Sequence, residues 1–229
     1  MKCGVLILPP MTIPSLVIFD CDGVLVDTER VANRSLAERL TGLGLDLSYE
    51  ECRRRFVGRS LKSVQADVEA ELGRRLPEDW HERVEQEETE VFRHSIEAIA
   101  GVAGQIRLLQ ARCIPFCVAS SGRIEKMHAT LGSADLLPHL RDVLFSATMV
   151  DQGKPAPDLF LHAAREMGHT PETCVVIEDS LPGVQGGIAA GMSVLGYCGD
   201  PLTDRAALET AGARVFDDMA RLGDLLNIR

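Results

Sequence analysis

Five short apolar runs, separated by segments with helical patterns, constrain the fold of this chain more than any other feature. The runs cover residues 16–19, 115–119, 143–145, 174–177 and 193–195. Each is apolar and most are rich in β-branched residues, as buried strands are. Their alternation with helices predicts an α/β fold in which helices cover both faces of a parallel sheet. Ligands of such folds bind at the carboxyl ends of the strands.

One long interval, residues 30–96, interrupts this alternation because it contains no strand pattern. Four segments in it have amphipathic or charged helical patterns: residues 31–40, 49–56, 60–72 and 78–94. The sequence therefore predicts a helical cap inserted after the first strand, covering residues 28–96, and a core domain formed by residues 1–27 and 97–229. Within the cap, Arg53, Arg54 and Arg55 are expected to form a solvated helix face.

Composition narrows the class of protein. Of 229 residues, 45% are hydrophobic and 25% are charged, and the net charge is −10. An acidic chain without a basic patch argues against nucleic-acid binding. No apolar run approaches the roughly 20 residues that span a bilayer, so no membrane association is expected. Residues 1–10 lack the apolar core of a signal peptide and are assigned no function. Seven cysteines without a Cys-x-x-Cys motif indicate reduced thiols and a cytoplasmic protein.

Polar residues follow the predicted strands where such a fold presents its site. They are Asp20, Asp22, Ser120, Ser121, Lys154, Glu178 and Asp179. Carboxylates that converge repel one another, and a hard divalent cation relieves the repulsion. A lysine and a hydroxyl can bind phosphoryl oxygens as charge develops on them. The cluster therefore predicts a phosphoryl-transfer site with Mg²⁺ as cofactor and a carboxylate as nucleophile.

The order of these residues also resembles a known family. Asp20-x-Asp22-Gly-Val, Ser120, Lys154-Pro155 and Glu178-Asp179 are similar to the four motifs of the haloacid dehalogenase superfamily. The helical insertion looks like the C1-type cap of that superfamily. The runs DGVLVDTE and VVIEDSLPGVQGGIAAGM resemble the subgroup of sugar-phosphate phosphatases and β-phosphoglucomutase. The resemblance extends over residues 16–196 and implies a Rossmann-like core.

The resemblance implies a role for each motif residue. Asp20 attacks phosphorus and binds Mg²⁺, and Asp22 protonates the leaving oxygen and then activates water. The main-chain carbonyl of Asp22 also faces the metal. Ser120 and Lys154 hold the transferring phosphoryl group. Asp179 binds the metal, and Glu178 lies beside it directly or through water. An aspartate at position 22 is inconsistent with dehalogenases, which lack it, and with phosphonatases, which carry alanine there.

Substrate contacts are expected from residues around the motifs. Gly23 permits a tight turn beside the phosphate. Ser121 is expected to cap the next helix and to make a secondary phosphate contact. Thr28 and Glu29 lie at the mouth of the site, either facing the substrate or starting the first cap helix. In this type of family the loop between the first cap helices enters the site, and Arg59 and Lys62 would supply positive charge there.

The predicted activity is hydrolysis of a small phosphorylated metabolite, a sugar phosphate or sugar acid phosphate, by a monomer. A phosphosugar mutase is the alternative. The resembling mutase has a histidine and a cap arginine where this chain has Ala32 and Leu61. Both departures weaken the mutase hypothesis. A signalling receiver domain is a third class. However, it would be about half this length and would carry its phospho-acceptor after the third strand instead of the first.

Overall fold

The computed structural model describes residues 13–56 and 61–229. Its core is a six-stranded sheet in the order β3-β2-β1-β4-β5-β6, in which all neighbouring strands are parallel. The strands are β1 (Leu16–Phe19), β2 (Phe116–Ser120), β3 (Leu144–Ser146), β4 (Cys174–Glu178), β5 (Ser193–Tyr197) and β6 (Arg214–Phe216). The predicted α/β class with a parallel sheet is therefore confirmed.

Five strands coincide with the predicted apolar runs, whereas β6 was not predicted. It contains only three residues, begins with an exposed arginine and lies at the edge of the sheet. Because an edge strand buries little surface, its sequence lacks the continuous apolar pattern by which the other strands were found.

Helices cover both faces of the sheet. Five lie between β1 and β2, and the first four of these form the insertion: α1 (Thr28–Leu43), α2 (Tyr49–Phe56), α3 (Leu61–Leu72) and α4 (Trp80–Ser95). The others are α5 (Val102–Ala111), α6 (Ile124–Ser133), α7 (Leu137–Leu140), α8 (Asp158–Glu166), α9 (Leu181–Ala189), α10 (Arg205–Thr210) and α11 (Leu222–Leu225). Within residues 13–56 and 61–229, no helix has the length and apolarity that a membrane crossing requires.

Side chains of β1 alternate between the two faces of the sheet. Val17 and Phe19 pack in one apolar cluster, and Leu16 and Ile18 pack in the other. All four are fully buried. This alternation follows from the two-residue period of a strand. It fixes the register of β1 and hence the point at which the chain leaves the sheet at Asp20.

The four inserted helices have an apolar cluster of their own. Leu40, Phe56, Val68 and Trp80 are among its buried members. The end of α4 belongs instead to a cluster of the sheet, because Phe92 in its last turn and Ile96 directly after it pack there. The domain boundaries at 28 and 96 stay predictions.

The two linkers between the inserted helices and the sheet are hydrogen-bonded to each other. Asp27 N donates to Glu97 O at 3.0 Å, and Ile99 N donates to Leu25 O at 2.9 Å. Val26 forms a bridge with Ala98 and a second bridge with Asp22. The first linker therefore connects the loop after β1 to the second linker.

Helix α9 lies close to the sheet at Gly187. A Cβ atom at this position would lie 2.8 Å from Val194 Cγ2 and 3.5 Å from Val176 Cβ. Both valines are buried, and β-branched side chains in strands move little. Gly104 in α5 is a contrasting helical glycine, since no atom lies within 4 Å of the corresponding Cβ position.

We expect Gly187→Ala to lower the free energy of unfolding by about 1–3 kcal/mol, because overpacking outweighs the gain in helix propensity. Gly104→Ala is the matched control and should raise it by about 0.5–1 kcal/mol. Urea titration of both variants measures the difference. Equal stabilisation by the two substitutions would show that α9 can move away from the sheet at no cost.

Candidate active site

Four of the predicted residues lie at the carboxyl edge of three neighbouring strands. Asp20 follows β1, Ser120 ends β2, and Glu178 ends β4, with Asp179 directly after it. Because β1 is paired with both β2 and β4, the three strand ends are adjacent. The topology therefore gathers groups that are far apart in the sequence, as the pattern predicts for this kind of sheet.

Lys154 joins two of these carboxylates. Its Nζ atom lies 2.5 Å from Asp20 Oδ1 and 2.6 Å from Glu178 Oε1. The side chains of Lys154, Asp20 and Glu178 are only 4%, 10% and 1% exposed. One ammonium group thus bridges two buried carboxylates, and it fixes Asp20 at the end of β1.

Negative charge is nevertheless in excess around Asp20. Burial raises the pKa of Asp20 to about 7; Lys154 opposes the rise, while Glu178 and Asp22 add to it. Burial also raises the pKa of Asp179 well above its usual value, and Glu178 and Asp20 contribute to that rise. Three carboxylates therefore share a single lysine, and a further cation would stabilise their charged forms.

Asp179 lies against the loop that carries Asp20 and Asp22. A Cβ atom on Gly23 would lie 2.0 Å from Asp179 Oδ2. Gly23 also has a φ angle of 80°, which only glycine adopts readily. A glycine is therefore required at this position, because any side chain would displace the Asp179 carboxylate. Contact between Gly23 and a substrate phosphate stays a prediction.

Glu178 has partners for both carboxylate oxygens. Oε1 binds Lys154, and Oε2 accepts hydrogen bonds from the Ser180 main chain at 2.8 Å and from its hydroxyl at 2.9 Å. With Glu178 engaged in this way, the part of the chain that the structure describes contains no three His, Cys, Asp or Glu side chains grouped to hold a metal.

The donor chemistry still fits Mg²⁺, which typically uses one or two carboxylates together with water. Asp20 and Asp179 are oxygen donors in a region of excess negative charge. Binding of the metal stays a prediction for all four residues to which it was assigned: Asp20, Asp22, Glu178 and Asp179. Because both oxygens of Glu178 already have partners, Glu178 is best suited to contact the metal through water.

Asp22 occupies a different environment from Asp20. It is partly exposed, and the Thr28 hydroxyl donates to its Oδ1 atom at 2.7 Å. Lys126 donates to its Oδ2 atom at 2.9 Å. Burial acts to lower the pKa of Lys126, but the charge and hydrogen bond of Asp22, together with Cys21 and Asp20, outweigh burial, and the pKa is raised. Lys126 was not predicted, because it lies on α6 outside every motif.

The segment after β2 is held by serine side chains. Ser120 is buried, and its hydroxyl accepts a hydrogen bond from Gly122 N at 3.0 Å. Ser146, at the end of β3, donates to Gly122 O at 2.8 Å. Ser121 is exposed and is not the expected cap of α6, since that helix follows Arg123 and has no side-chain cap. Its phosphate contact, and the phosphoryl contact of Ser120, stay predictions.

The predicted substrate residues of the inserted helices are only partly placed. Burial raises the pKa of Glu29, whose carboxylate accepts a hydrogen bond from Asn33 at 3.0 Å. Lys62 is exposed on α3 and lines a groove of the inserted helices together with Gln65. Arg59 lies outside the described residues. The substrate roles of Thr28, Glu29, Arg59 and Lys62 stay predictions.

The expectation of a solvated face at Arg53–Arg55 is wrong for Arg53. Its side chain is only 14% exposed and forms an ion pair with Asp200, which follows β5. Arg53 Nε is buried without a hydrogen-bond partner among the described residues. Arg53 therefore connects the inserted helices to the sheet. The pattern of α2 could not show this, because the partner is distant in the sequence.

Comparison with known proteins agrees with this geometry. Residues 14–191 match the family model described as haloacid dehalogenase-like hydrolase. The chain is 38% identical over 186 residues to 6-phosphogluconate phosphatase of Escherichia coli (strain K12), covering 81% of this chain and 83% of that one. It is 31% identical over 189 residues to hexitol phosphatase A of the same organism, covering 78% and 80%.

A solved structure shares the fold throughout. It is a HAD family hydrolase from Deinococcus radiodurans R1 with bound phosphate and sodium. The two structures agree with a TM-score of 0.84 at 32% identity, over 95% of this chain and 97% of the other.

The raised pKa of Asp20 predicts that stability of the metal-free protein depends on pH. The folded state holds a proton on Asp20 up to about pH 7, whereas the unfolded chain releases it near 3.8. The free energy of unfolding should therefore fall as pH rises between these values, by at most about 1.4 kcal/mol per pH unit for this proton. Urea unfolding in EDTA across this window measures the slope.

Asp20→Asn is the control because it cannot titrate. The stability difference between the wild-type protein and this variant should change with pH in EDTA, and should change less when Mg²⁺ is added. A difference that stays constant across the window would contradict the assignment to Asp20.

Proposed function

The chain belongs to the haloacid dehalogenase-like hydrolases and is a phosphatase, and on this premise we propose that it hydrolyses a small sugar phosphate or sugar acid phosphate through a phospho-aspartate on Asp20. Mg²⁺ is the proposed cofactor. The receiver-domain alternative has no support, because the proposed acceptor follows β1 and inserted helices follow it.

The observation that carries this proposal is the contrast between Asp20 and Asp22. Asp20 is buried and bound to Lys154, so its carboxylate is fixed and only 10% of the side chain is exposed to bulk water. Asp22, two residues later, is partly exposed and hydrogen-bonded to Thr28. Two carboxylates in unlike environments suit two roles, one as nucleophile and one as acid and base.

In the first step an oxygen of Asp20 forms a bond to phosphorus while the bond from phosphorus to the ester oxygen breaks. Asp22 donates a proton to the departing oxygen. In the second step Asp22 accepts a proton from water, which attacks the phospho-aspartate and releases inorganic phosphate.

Lys154 and the Ser120 hydroxyl are proposed to bind phosphoryl oxygens in both steps. Lys154 already holds Asp20, so the same ammonium group would orient the nucleophile and balance charge on the phosphoryl group. When bound, the metal ion screens the phosphate from the carboxylates. Asp20, Asp179 and the Asp22 carbonyl would hold it, with Glu178 nearby.

The proposed substrate class follows from the relatives. One is named for a phosphorylated sugar acid, 6-phosphogluconate, and another for hexitol. Both names indicate a phosphate ester of a polyhydroxylated chain, and Glu29 near the mouth of the site is a hydrogen-bond acceptor for hydroxyl groups. The cytoplasmic location and the monomeric state expected from the sequence remain proposals.

We expect Asp20→Asn to lower kcat by more than about a thousandfold, because an amide cannot accept the phosphoryl group. Steady-state assays with Mg²⁺ and trapping of phosphorylated protein by acid quench measure the two consequences. Asp217→Asn is the matched control, since Asp217 is exposed and lies after β6, and it should retain activity. Normal turnover by Asp20→Asn would reject Asp20 as the nucleophile.

A panel of phosphorylated metabolites assayed with Mg²⁺ tests the substrate class. Sugar phosphates and sugar acid phosphates should give the highest kcat/KM, and release of phosphate should need no hexose-bisphosphate primer. A requirement for the primer, with isomerised sugar phosphate as product, would instead identify a mutase. Inactivity toward every ester would reject the proposed function.

A further inference from the structure

We propose that Lys126 is a positioning residue for Asp22, and that it makes this enzyme effective on alkyl phosphate esters, whose leaving groups must be protonated. This inference rests on the proposed function, in which Asp22 is the acid and base. No motif contains Lys126, and the contact spans 104 positions of the sequence.

Both oxygens of Asp22 are held by hydrogen bonds, and the donors come from different parts of the fold. Thr28, at the start of α1, donates to Oδ1 at 2.7 Å. Lys126, on α6, donates to Oδ2 at 2.9 Å. A carboxylate bound at both oxygens cannot rotate without breaking a hydrogen bond, so its orientation is fixed before substrate arrives.

The Asp22 carboxylate also lies beside the proposed phosphoryl site. A Cβ atom placed on Gly122 would lie 3.3 Å from Ser120 Oγ, 3.5 Å from Lys126 Cδ and 3.9 Å from Asp22 Oδ2. Ser120, Lys126 and Asp22 therefore surround one small region at the end of β2. A proton on Asp22 would therefore lie beside the region in which the phosphoryl group is proposed to bind.

Lys126 itself lies between the Asp22 carboxylate and an aromatic ring. Its Nζ atom lies 5.6 Å from the centre of the Phe92 ring, on α4, and its side chain is 36% exposed. The aromatic ring covers the ammonium group on one side, which favours its interaction with Asp22 on the other. Lys126 is thus held by contacts from both the sheet and the inserted helices.

The chemical consequence appears when the ester bond breaks. For the acid role Asp22 must carry a proton when the substrate is bound; it gives this proton to the departing oxygen and becomes the carboxylate that Thr28 and Lys126 hold in place. An alkoxide is a poor leaving group and depends on this proton. A p-nitrophenolate ion leaves without one, so its ester should be indifferent to Lys126.

The experiment compares kcat/KM for two substrates, the best alkyl phosphate from the metabolite panel and p-nitrophenyl phosphate. Lys126→Met keeps the length of the side chain but removes its charge. We expect it to lower kcat/KM for the alkyl ester by about 10- to 100-fold and for the aryl ester by less than about threefold. Lys126→Arg should restore most of the alkyl activity.

Two controls accompany the comparison. Arg107→Met removes an exposed positive charge on α5, at a position outside the site, and should change neither value. Thermal unfolding of each variant, followed by circular dichroism, verifies that the proteins compared are folded.

Equal losses on both esters, or failure of Lys126→Arg to restore activity, would overturn the positioning role. So would an unchanged alkyl activity in Lys126→Met. If the wild-type protein hydrolyses neither ester, the proposed function fails, and the role of Lys126 fails with it. If the wild-type protein is active and the variant is equally active, only the role of Lys126 is rejected.

Discussion

The buried contact of one lysine with two carboxylates is the interaction on which the site depends. Asp20 and Glu178 come from neighbouring strands, and Lys154 comes from the segment between β3 and α8. In so little water none of the three charges is tolerated alone, because the desolvation penalty is several kcal/mol per ion. The lysine therefore determines where both acids lie. One lysine does not balance Asp179 as well, and this excess of negative charge favours a divalent cation.

The features that could be predicted from the sequence are those that appear as a periodic pattern or as a continuous run of residues. Buried strands such as β1 were found because continuous apolar runs are their signature, and the motif residues were placed because strand order brings strand ends together. Lys126 and Arg53 were missed for a shared reason. Each is a charged residue on a helix, and its importance comes from a partner more than a hundred positions away. β6 was missed because three residues at an edge carry too little pattern.

The inserted helices contribute to the site as well as covering it. Thr28 reaches Asp22 from the first of them, and Phe92 lies beside Lys126 from the last. Arg53 reaches Asp200 from the second. The environment of the proposed acid is thus built jointly by both parts of the protein. This arrangement distinguishes the two aspartates, because Asp20 is bound by Lys154, which lies between β3 and α8 and not in the inserted helices.

The hydrogen-bonded linkers also connect the inserted helices to the loop that carries Asp22. Val26 is bridged both to Asp22 and to Ala98, so one short span of backbone connects the proposed acid to the second linker. Any displacement of the inserted helices relative to the sheet would therefore be transmitted through this span to the position of Asp22.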